Sequence, residues 1–432
     1  MKKTKNILFA FLLALIPFMV SAQIDGEFVK ARTGTFLLKN ATVMTVTNGT
    51  LENASVLIKD GMIAGVGTNL SEDGAEVIDL SGMFIYPGMI DGGTSLGAVE
   101  VNSVAETVDN REIGNVTPNM QILTTINPNS VAIPVTRVSG VTTVLSKPVG
   151  GLFPGTAALI NLNGYTPDQM YAGFKGVVMN FPSSARRGRF DRRSDDDIEK
   201  AKEKAVKEAN DIWENAVNFH QMQSEGAEMQ YYPEMEQLAK VVAKELPLLI
   251  EVNAASDILN AIDWVEGKDI NVIFMGCDEG WRVAEELAES GIPVIAGPVQ
   301  DLPTRASDRY DAAYANPGKM MKAGVKVAIR TNEVENVRNL PFHAAYAGAY
   351  GMGKEEALKA VTIVPAEIFG VADKYGSIEE GKRANLLVST GDPFETSSDI
   401  MHVFIEGYRI PLSNRHIRLY QEFLERDPGL GN

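Results

Sequence analysis

The stretch Pro87-Gly-Met-Ile-Asp91-Gly-Gly93-Thr-Ser95-Leu-Gly97 divides the chain into two regions with different hydrophobic patterns. Before it, short apolar runs alternate with turn residues, which is typical of strands. These candidate strands span residues 35–38, 41–46, 55–59, 62–66 and 76–86. Asp60-Gly61 separates two of them and predicts a two-residue hairpin, because both turn positions require positive φ. The pattern therefore predicts a small antiparallel sheet before Pro87.

After Pro87, apolar runs of strand length are separated by stretches with helical spacing, which favours βα units around a parallel sheet. The candidate strands span residues 89–93, 141–146, 156–162, 176–180, 248–253, 271–276, 293–297 and 326–331. A set of about eight such strands closes a barrel, so we predict an α/β fold with a (β/α)8 TIM-type barrel. An open, doubly wound sheet is the alternative, since periodicity alone does not distinguish a closed sheet from an open one.

The first 22 residues have the composition of a secretory signal peptide. Lysines precede an apolar run over residues 7–20, and Ser21-Ala22 provides the small residues of a cleavage site. The run is too short for a convincing membrane anchor, and no cysteine stands at the cleavage point to accept a lipid. The sequence therefore predicts an exported, periplasmic chain whose mature form begins at about Gln23.

The composition is that of a globular protein, with 432 residues of which 45% are hydrophobic and 22% are charged. Its formal net charge of −16 disfavours binding to nucleic acid or to an anionic membrane. The single cysteine, Cys277, excludes a disulfide within the chain. Together with only four histidines, it also limits the supply of ligands for a transition metal.

Residues 181–233 form a charged insertion between two candidate strands. Ser194-Asp-Asp-Asp197 predicts a capping box, and apolar residues then recur at helical spacing as far as Phe219. Five arginines come before the cap: Arg186, Arg187, Arg189, Arg192 and Arg193. We interpret them as a solvated loop that the following acidic turn neutralises, with an anion-binding site as the alternative.

The dividing stretch resembles the first barrel strand of the amidohydrolase superfamily, which reads P-G-x-I-D-x-H-x-H. In that family the two histidines bind a catalytic divalent metal. Aligning Pro87, Ile90 and Asp91 on the motif puts Gly93 and Ser95 at the histidine positions. A second segment, residues 376–388, resembles the family's G-x-I-x-x-G-K-x-A-D-L-x-V return to the N-terminal sheet, with Asn385 where Asp is usual.

The chain looks most similar to the imidazolonepropionase-like branch of this superfamily. That resemblance implies further metal ligands at the ends of strands five, six and eight. Residues 250–258 resemble the strand-five segment, which puts Asn253 at the third histidine. Residues 279–287 resemble the helix after strand six, which puts Gly276 at the fourth, and Asn332 replaces the aspartate that ends strand eight. All five expected ligand positions are substituted.

Such substitutions remove the chemistry of a metal site. Catalytic zinc needs about three protein ligands and an open position for water. Glycine offers no side chain, a neutral amide is a poor replacement for imidazole, and Asn in place of Asp removes the general base. We therefore expect no metal and no other cofactor at this site.

Strand alternation predicts which charged side chains lie inside the barrel. If position 93 faces the axis, then Asp91 faces it too, and likewise Glu251 with Asn253 and Arg330 with Asn332. An unpaired buried charge is costly, so we expect these groups to pair with one another. Strands eight and one are neighbours in a closed barrel, which favours Asp91 as the partner of Arg330.

Two functions fit these observations. The first is a catalytically degenerate barrel that binds a small polar or carboxylate ligand, or that is a homo-oligomer or the partner subunit of an active relative. The second is an unusual hydrolase of carbon–nitrogen bonds in amides or peptides, with Ser95, Lys147 and Asp278 as candidate catalytic residues. Alternatively, bulky side chains such as Phe274 and Trp281 fill the space that the histidines leave.

The resemblance extends from about residue 35 to residue 410 and suggests the following domains. Residues 1–22 are the signal peptide, and residues 23–86 with 386–412 form a composite β-sandwich domain. Residues 87–385 form the barrel, and residues 413–432 contain a C-terminal helix.

Overall fold

The computed structural model describes residues 30–184, 192–228 and 230–426. The expected signal peptide and three of the five clustered arginines, at positions 186, 187 and 189, lie outside the described residues. The strands are β1 (Phe36–Met44), β2 (Thr50–Lys59), β3 (Met62–Gly67), β4 (Glu76–Asp79), β5 (Phe84–Pro87), β6 (Met89–Thr94), β7 (Val141–Ser146), β8 (Gly155–Asn161), β9 (Tyr171–Asn180), β10 (Leu248–Val252), β11 (Val272–Gly276), β12 (Val294–Ala296), β13 (Val327–Ile329), β14 (Leu386–Ser389), β15 (Ile400–Ile405) and β16 (Tyr408–Ile410).

Helices follow most of the barrel strands. They are α1 (Ala132–Arg137), α2 (Pro167–Met170), α3 (Asp195–Ser224), α4 (Pro233–Val242), α5 (Ala255–Val265), α6 (Ala284–Ser290), α7 (Ala312–Ala323), α8 (Leu340–Ala347), α9 (Lys354–Lys359), α10 (Ile363–Ile368) and α11 (Arg415–Glu425). Short 3-10 turns span Ala105–Thr107, Ile122–Thr125, Gly280–Arg282 and Val337–Asn339, and a π-helical turn spans Gly348–Met352. Within the described residues, no helix combines the length and the apolar character needed to cross a bilayer.

The small β domain combines strands from both ends of the chain, as predicted. Its described strands belong to one hydrogen-bonded sheet of eight, ordered β16-β15-β14-β5-β1-β2-β3, with β4 paired to β1. Asp60 and Gly61 join β2 to β3 with positive φ at both positions, which confirms the predicted hairpin. Buried residues of its strands, among them Phe36, Ile58 and Phe404, pack into a common core.

The barrel follows the predicted strands closely, in the order β6 to β13. The amide of Asn332 donates to the Gly93 carbonyl at 3.0 Å, and that of Ser95 donates to Glu333 at 3.4 Å. These bonds join the last strand to the first, so the sheet closes, and the open-sheet alternative is wrong. Its interior is a continuous apolar cluster that includes Ile90, Leu249, Met275 and Ala328.

One barrel strand departs from the predicted βα pattern. β8 runs antiparallel to both β7 and β9, whereas we expected every strand to be parallel. The described connection from β7 to β8, residues 147–154, contains no helix and turns through Gly150 and Gly151 at positive φ. A parallel neighbour needs a crossover connection of a dozen or more residues, so this short connection makes a hairpin instead.

The insertion forms the long helix α3. Ser194 accepts a hydrogen bond from the Asp197 amide while the Asp197 carboxylate accepts one from the Ser194 backbone, which confirms the predicted capping box. The helix buries Ile198, Ala209, Trp213, Ala216 and Phe219 on one face. Its packing is anchored by an ion pair between Lys202 and Asp257 at 3.1 Å.

A buried network of polar side chains joins the barrel to the β domain. It lies at the end of the barrel where the parallel strands begin, opposite their carboxyl ends. Asn385 donates to Thr143 at 3.2 Å and to Asn161 at 2.9 Å, and it accepts from the Glu406 amide at 2.7 Å. Asn161 in turn donates to Tyr375 at 3.0 Å and to Glu406 at 2.8 Å. Asn385, the residue that departs from the family motif, is therefore the centre of the domain junction.

Candidate functional site

Arg330 is the central side chain at the carboxyl end of the barrel strands. It follows β13 directly and is 1% exposed. Ala328, two residues earlier, belongs to the apolar barrel interior, so strand alternation points Arg330 inward as well. Its Nε donates to the Gly297 carbonyl at 3.0 Å, which fixes the plane of the guanidinium.

Glu251 is the partner of Arg330. The Arg330 Nη1 donates to Glu251 Oε2 at 2.8 Å, and Nη2 bonds the other carboxylate oxygen, giving a bidentate pair. Lys147 approaches the same carboxylate, with its Nζ 3.3 Å from Oε2. Two cations therefore converge on one anion in a largely buried space.

These contacts shift the pKa values of the three groups. Burial opposes ionisation of Glu251, but the charges of Arg330 and Lys147 outweigh it and hold the pKa of Glu251 well below its usual range. Burial lowers the pKa of Lys147, and the nearby Glu251 charge only partly offsets this effect. The cluster is thus an ionised arginine–carboxylate pair with a lysine that loses its proton more readily than usual.

Asp91 does not contact Arg330 through a hydrogen bond, so the favoured pairing was wrong. Its carboxylate accepts from Thr331 Oγ1 at 2.6 Å, from the Thr331 amide, and from the Gly93 amide at 2.9 Å. Ile90, not Asp91, belongs to the barrel interior, and β6 has a register irregularity between Asp91 and Thr94. The irregularity breaks the alternation on which the prediction depended.

The position of Asp91 in the seam between β6 and β13 also changes its acidity. Burial raises the pKa of Asp91 to about 6, although the hydrogen bonds from Thr331 and Gly93 oppose the shift. The carboxylate therefore ties the first strand to the end of the last strand and remains sensitive to pH near neutrality.

The family motif puts its two histidines at the positions of Gly93 and Ser95, and these two residues do not provide a pair of metal ligands. A Cβ on Gly93 would lie 2.8 Å from Met275 Cε and 3.0 Å from Arg330 Cδ, so these two side chains occupy the space that a larger residue at position 93 would need. Ser95 is buried, accepts from Asn110 Nδ2 at 3.0 Å and donates to the Lys147 carbonyl at 3.3 Å.

This arrangement bears directly on whether the candidate residues Ser95 and Lys147 act together, with the lysine as the base that activates the serine. Ser95 meets the backbone of Lys147, while the Lys147 amine is directed to Glu251. A lysine base must reach the hydroxyl it deprotonates. The geometry therefore does not support Ser95 and Lys147 as a nucleophile and its base.

Asn253, Gly276 and Asn332 stand at the other three positions that the family resemblance assigns to metal ligands. Asn253 and Asn332 are exposed at the carboxyl end of the barrel strands, which we call the mouth of the barrel. Gly276 has φ +90°, and a Cβ there would lie 2.0 Å from Asn253 Oδ1, so glycine allows the Asn253 amide to approach the strand end. Asn332 adopts φ +54°, a conformation that asparagine tolerates, while its amide closes the barrel seam.

Asp278 lies beside this cluster and lines a cavity of about 20 Å³ together with Trp281, Gly297 and Asn316. This volume is enough for about one water molecule. Burial raises the pKa of Asp278 to about 6, opposed by the charge of Arg330.

The large aromatic residues Phe274 and Trp281 do not fill the space beside Gly93. Phe274 is adjacent in β11 to Ile273 and Met275, which face the barrel interior, so Phe274 points the other way. Trp281 is held between the cations of Arg282 and Lys319, each 4.1 Å from its ring centroid. The space is filled instead by Met275 and Arg330.

Comparison with known proteins identifies the family to which this chain belongs. The profile of the amidohydrolase family matches residues 137–410, more than half of the chain. The chain belongs to the amidohydrolase family. A solved amidohydrolase from Thermotoga maritima MSB8 superposes with a TM-score of 0.77 at 28% identity, covering 88% of this chain and 100% of that one.

Curated amidohydrolase-like relatives match over short segments. A D-hydantoinase from Geobacillus stearothermophilus is 50% identical over 62 residues, which are 14% of this chain and 13% of that protein. An adenine deaminase from Dehalococcoides mccartyi is 48% identical over 58 residues, 13% of this chain and 10% of that protein. The chain thus spans only a small part of the length of these relatives.

The amidohydrolase family implies a divalent metal, and the residues at this mouth do not fit one. The described residues contain no group of three or more His, Cys, Asp or Glu side chains that could hold a metal ion. Arg330 places a fixed cation against Gly93, and the carboxylate of Glu251 is already bonded by two cations. A divalent ion would meet electrostatic repulsion and a donor set without imidazole.

Sequence reasoning missed three residues of this amidohydrolase mouth. Thr331 follows Arg330 directly and could have been identified as a hydroxyl donor at a strand end. Met275 fills the space beside Gly93, but a methionine in a strand is an ordinary core residue and gives no signal of this role. Asn110, which binds Ser95, lies in a long loop without periodicity, so the sequence contains no signal for it.

Proposed function

We propose that this chain is an exported, catalytically degenerate member of the amidohydrolase family that binds a small polar or carboxylate ligand at the barrel mouth without a metal. The observation that supports it is the buried Arg330–Glu251–Lys147 cluster beside the substituted ligand positions. A permanent guanidinium replaces the charge of a metal, but it does not activate water as a metal does. Electrostatic attraction remains while hydrolytic chemistry is lost.

The ligand class follows from the groups that remain available. Glu251 neutralises one of the two cations, so the cluster carries excess positive charge when Lys147 is protonated. The amine of Lys147 has three N–H donors, and one ion pair with Glu251 leaves donor capacity for a ligand. Asn253 and Asn332 add neutral amide donors and acceptors at the exposed rim. A carboxylate or a primary amide group matches this set of donors.

Two measurements on the purified chain test the proposal. Elemental analysis after chelation should find no stoichiometric zinc, manganese or iron. A thermal-shift screen of small amides, dipeptides and carboxylates should give hits, since a ligand at about 100 times its dissociation constant adds about 2.7 kcal/mol of stability. About one metal ion per chain that survives chelation would contradict the metal-free assignment.

Matched variants locate the binding site. Asn253→Leu should abolish the shift that a hit produces, because it removes an amide at the mouth. Asn48→Leu, an exposed asparagine in the β domain, should leave that shift unchanged. If both variants bind equally well, the ligand occupies another site.

The second candidate function is hydrolysis of a carbon–nitrogen bond with protein groups alone. Asp278 favours it, because a carboxyl group with a pKa of about 6 beside a water-sized cavity suits general acid–base chemistry. Turnover of a screening hit that is abolished by Asp278→Asn or Ser95→Ala would favour this function over simple binding. Binding without turnover supports the first.

The proposal also includes a role as the partner subunit of an active amidohydrolase. If the screen yields no ligand, association with a relative that retains the H-x-H motif would account for a preserved barrel without chemistry. Co-purification of such a relative from periplasmic extract would support that role and the proposed export. A chain found only in the cytoplasmic fraction would contradict export.

A further inference from the structure

Lys147 is a buried amine whose chemistry the binding role of the mouth does not fully use. Of the lysines in the described part of the chain, it is the one that is buried, with 6% of the residue exposed. It follows β7 directly and so lies at the carboxyl end of a barrel strand, where barrel proteins place reactive groups. Ser95 donates to its backbone carbonyl at 3.3 Å, and its amine lies 3.3 Å from Glu251. The residue is therefore held both at its backbone and at its amine.

The charges around this amine favour its neutral form. Arg330 already binds Glu251 through both Nη1 and Nη2, so a single carboxylate faces two cations in a largely buried space. Arginine does not lose its proton in proteins, whereas a desolvated lysine beside another cation does. Burial lowers the pKa of Lys147, and the charge of Arg330 adds to this effect while that of Glu251 opposes it. The cluster thus sheds its excess positive charge at Lys147, which leaves a nucleophilic amine.

The cluster remains open to small molecules. The side chains of Lys147 and Glu251 are 8% and 16% exposed, so solvent reaches both partners of this ion pair. Arg330, in contrast, is 1% exposed and is closed off. So narrow an opening admits a small carbonyl compound to the amine and excludes a bulky one.

We propose that the Lys147 amine captures small aldehydes at the barrel mouth as a reversible imine. This inference rests on the proposed binding function and adds a ligand class to the same site. The amine nitrogen attacks the carbonyl carbon and gives a carbinolamine. The two hydrogens of the amine then leave with the carbonyl oxygen as water while the C=N bond forms, so the step needs no oxidant or reductant.

Glu251 stabilises the charged stages of this reaction. The nitrogen is positive when it adds to the carbonyl and again when the imine is protonated, and the Glu251 carboxylate lies 3.3 Å from it. Although burial opposes ionisation, the charges of Arg330 and Lys147 hold the pKa of Glu251 well below its usual range. The carboxylate therefore stays ionised throughout, and protons exchange with water at the open mouth.

Trapping with cyanoborohydride tests the proposal, because this reagent reduces an imine to a stable secondary amine. The mature chain is treated with acetaldehyde and cyanoborohydride at pH 7 and digested, and the ethylated lysines are quantified by mass spectrometry. Lys147 should be ethylated at least about 10-fold faster than the exposed Lys204 and Lys207, because the mouth holds the aldehyde beside its amine. The rate at Lys147 should saturate with acetaldehyde concentration, whereas the rates at the exposed lysines should rise linearly.

Lys202 is the matched control within the same chain. Its side chain is 11% exposed and its amine lies 3.1 Å from Asp257, so it is covered and ion-paired much as Lys147 is, but outside the Arg330–Glu251 cluster. Lys202 should be ethylated no faster than Lys204. Ethylation of Lys147 that is equal to or slower than that of Lys204, or that does not saturate, would overturn the proposal.

Two further measurements separate this inference from the proposed function. A carboxylate or amide hit from the thermal-shift screen should slow ethylation of Lys147 and leave Lys204 unchanged, since the hit and the aldehyde occupy the same mouth. Lys147→Arg keeps a cation beside Glu251 but should lose the fast phase of ethylation in the intact chain. A screen without hits would contradict the proposed function, whereas an unmodified Lys147 in a chain that binds such hits would contradict imine formation alone.

Discussion

The two ends of the barrel both bury polar groups, but they do so in different ways. At the mouth, Arg330, Glu251 and Lys147 form a charged cluster. At the opposite end, Asn385 and Asn161 form a network with Thr143 and Tyr375 that is mostly neutral. Neutral amides satisfy one another at modest cost, whereas buried charges persist only when every partner is present.

The difference indicates what each end is for. The amide network connects three segments that are distant in sequence and holds the β domain on the barrel, a structural task that needs no charge. The charged cluster contributes little net stability compared with an apolar core of the same volume. Its presence at the end where barrel proteins bind their ligands fits a functional role better than a structural one.

The largest expected effect comes from breaking the charged cluster. Arg330→Met should lower the free energy of unfolding by about 3 to 5 kcal/mol, toward the lower end because Lys147 remains near Glu251. Urea denaturation at neutral pH measures it. Arg309→Met, at an exposed arginine paired with Asp311, should change stability by less than about 0.5 kcal/mol.

The double variant Arg330→Met/Glu251→Leu sharpens this test. It removes the carboxylate that loses its bidentate partner in the single variant, and burial lets the remaining Lys147 lose its proton readily, so the double variant should be more stable than Arg330→Met. A double variant that is less stable than Arg330→Met would show that packing, and not charge pairing, is the contribution of Arg330.

The second effect is the pH dependence of the mouth. The folded-state pKa of Asp91 is about 6, above its ordinary value of 3.8, so the folded chain binds this proton more tightly than the unfolded chain. Stability should therefore fall as pH rises from about 4 to about 6, by at most about 3 kcal/mol, and the Asp91 contribution should then level off. Asp278 contributes with the same sign.

Thermal unfolding between pH 4 and 7 measures this slope and its levelling off. Asp91→Asn should flatten it, while Asp373→Asn, at an exposed aspartate, should not. An unchanged slope in Asp91→Asn would mean that the seam carboxylate has an ordinary pKa.

The smallest effect is expected at the neutral end. Asn385→Ala removes the contacts to Thr143 and Asn161 and leaves the Glu406 amide without its acceptor, which should cost about 2 kcal/mol. Asn48→Ala, at an exposed site of the same domain, is the control and should be nearly neutral. A larger loss at Asn385 than at Arg330 would reverse the comparison between the two ends.

The sequence by itself determined most of the strands, the hairpin at Asp60-Gly61 and the capping box at Ser194. These features depend on local periodicity, turn chemistry and motif spacing, which the residues specify without reference to distant partners. Pattern also placed Arg330 and Glu251 in the barrel interior, because alternation along a regular strand fixes side-chain direction.

Tertiary structure decided the partners of the buried charges and the direction of β8, which strand alternation does not specify. The irregularity after Asp91 turned that side chain into the β6–β13 seam, the short connection after Lys147 made β8 antiparallel, and Glu251 on the far side of the barrel became the partner of Arg330. Each outcome depends on the reach of a side chain or connection across the closed barrel. Residues 79 positions apart in sequence meet there because closure brings their strands around one axis.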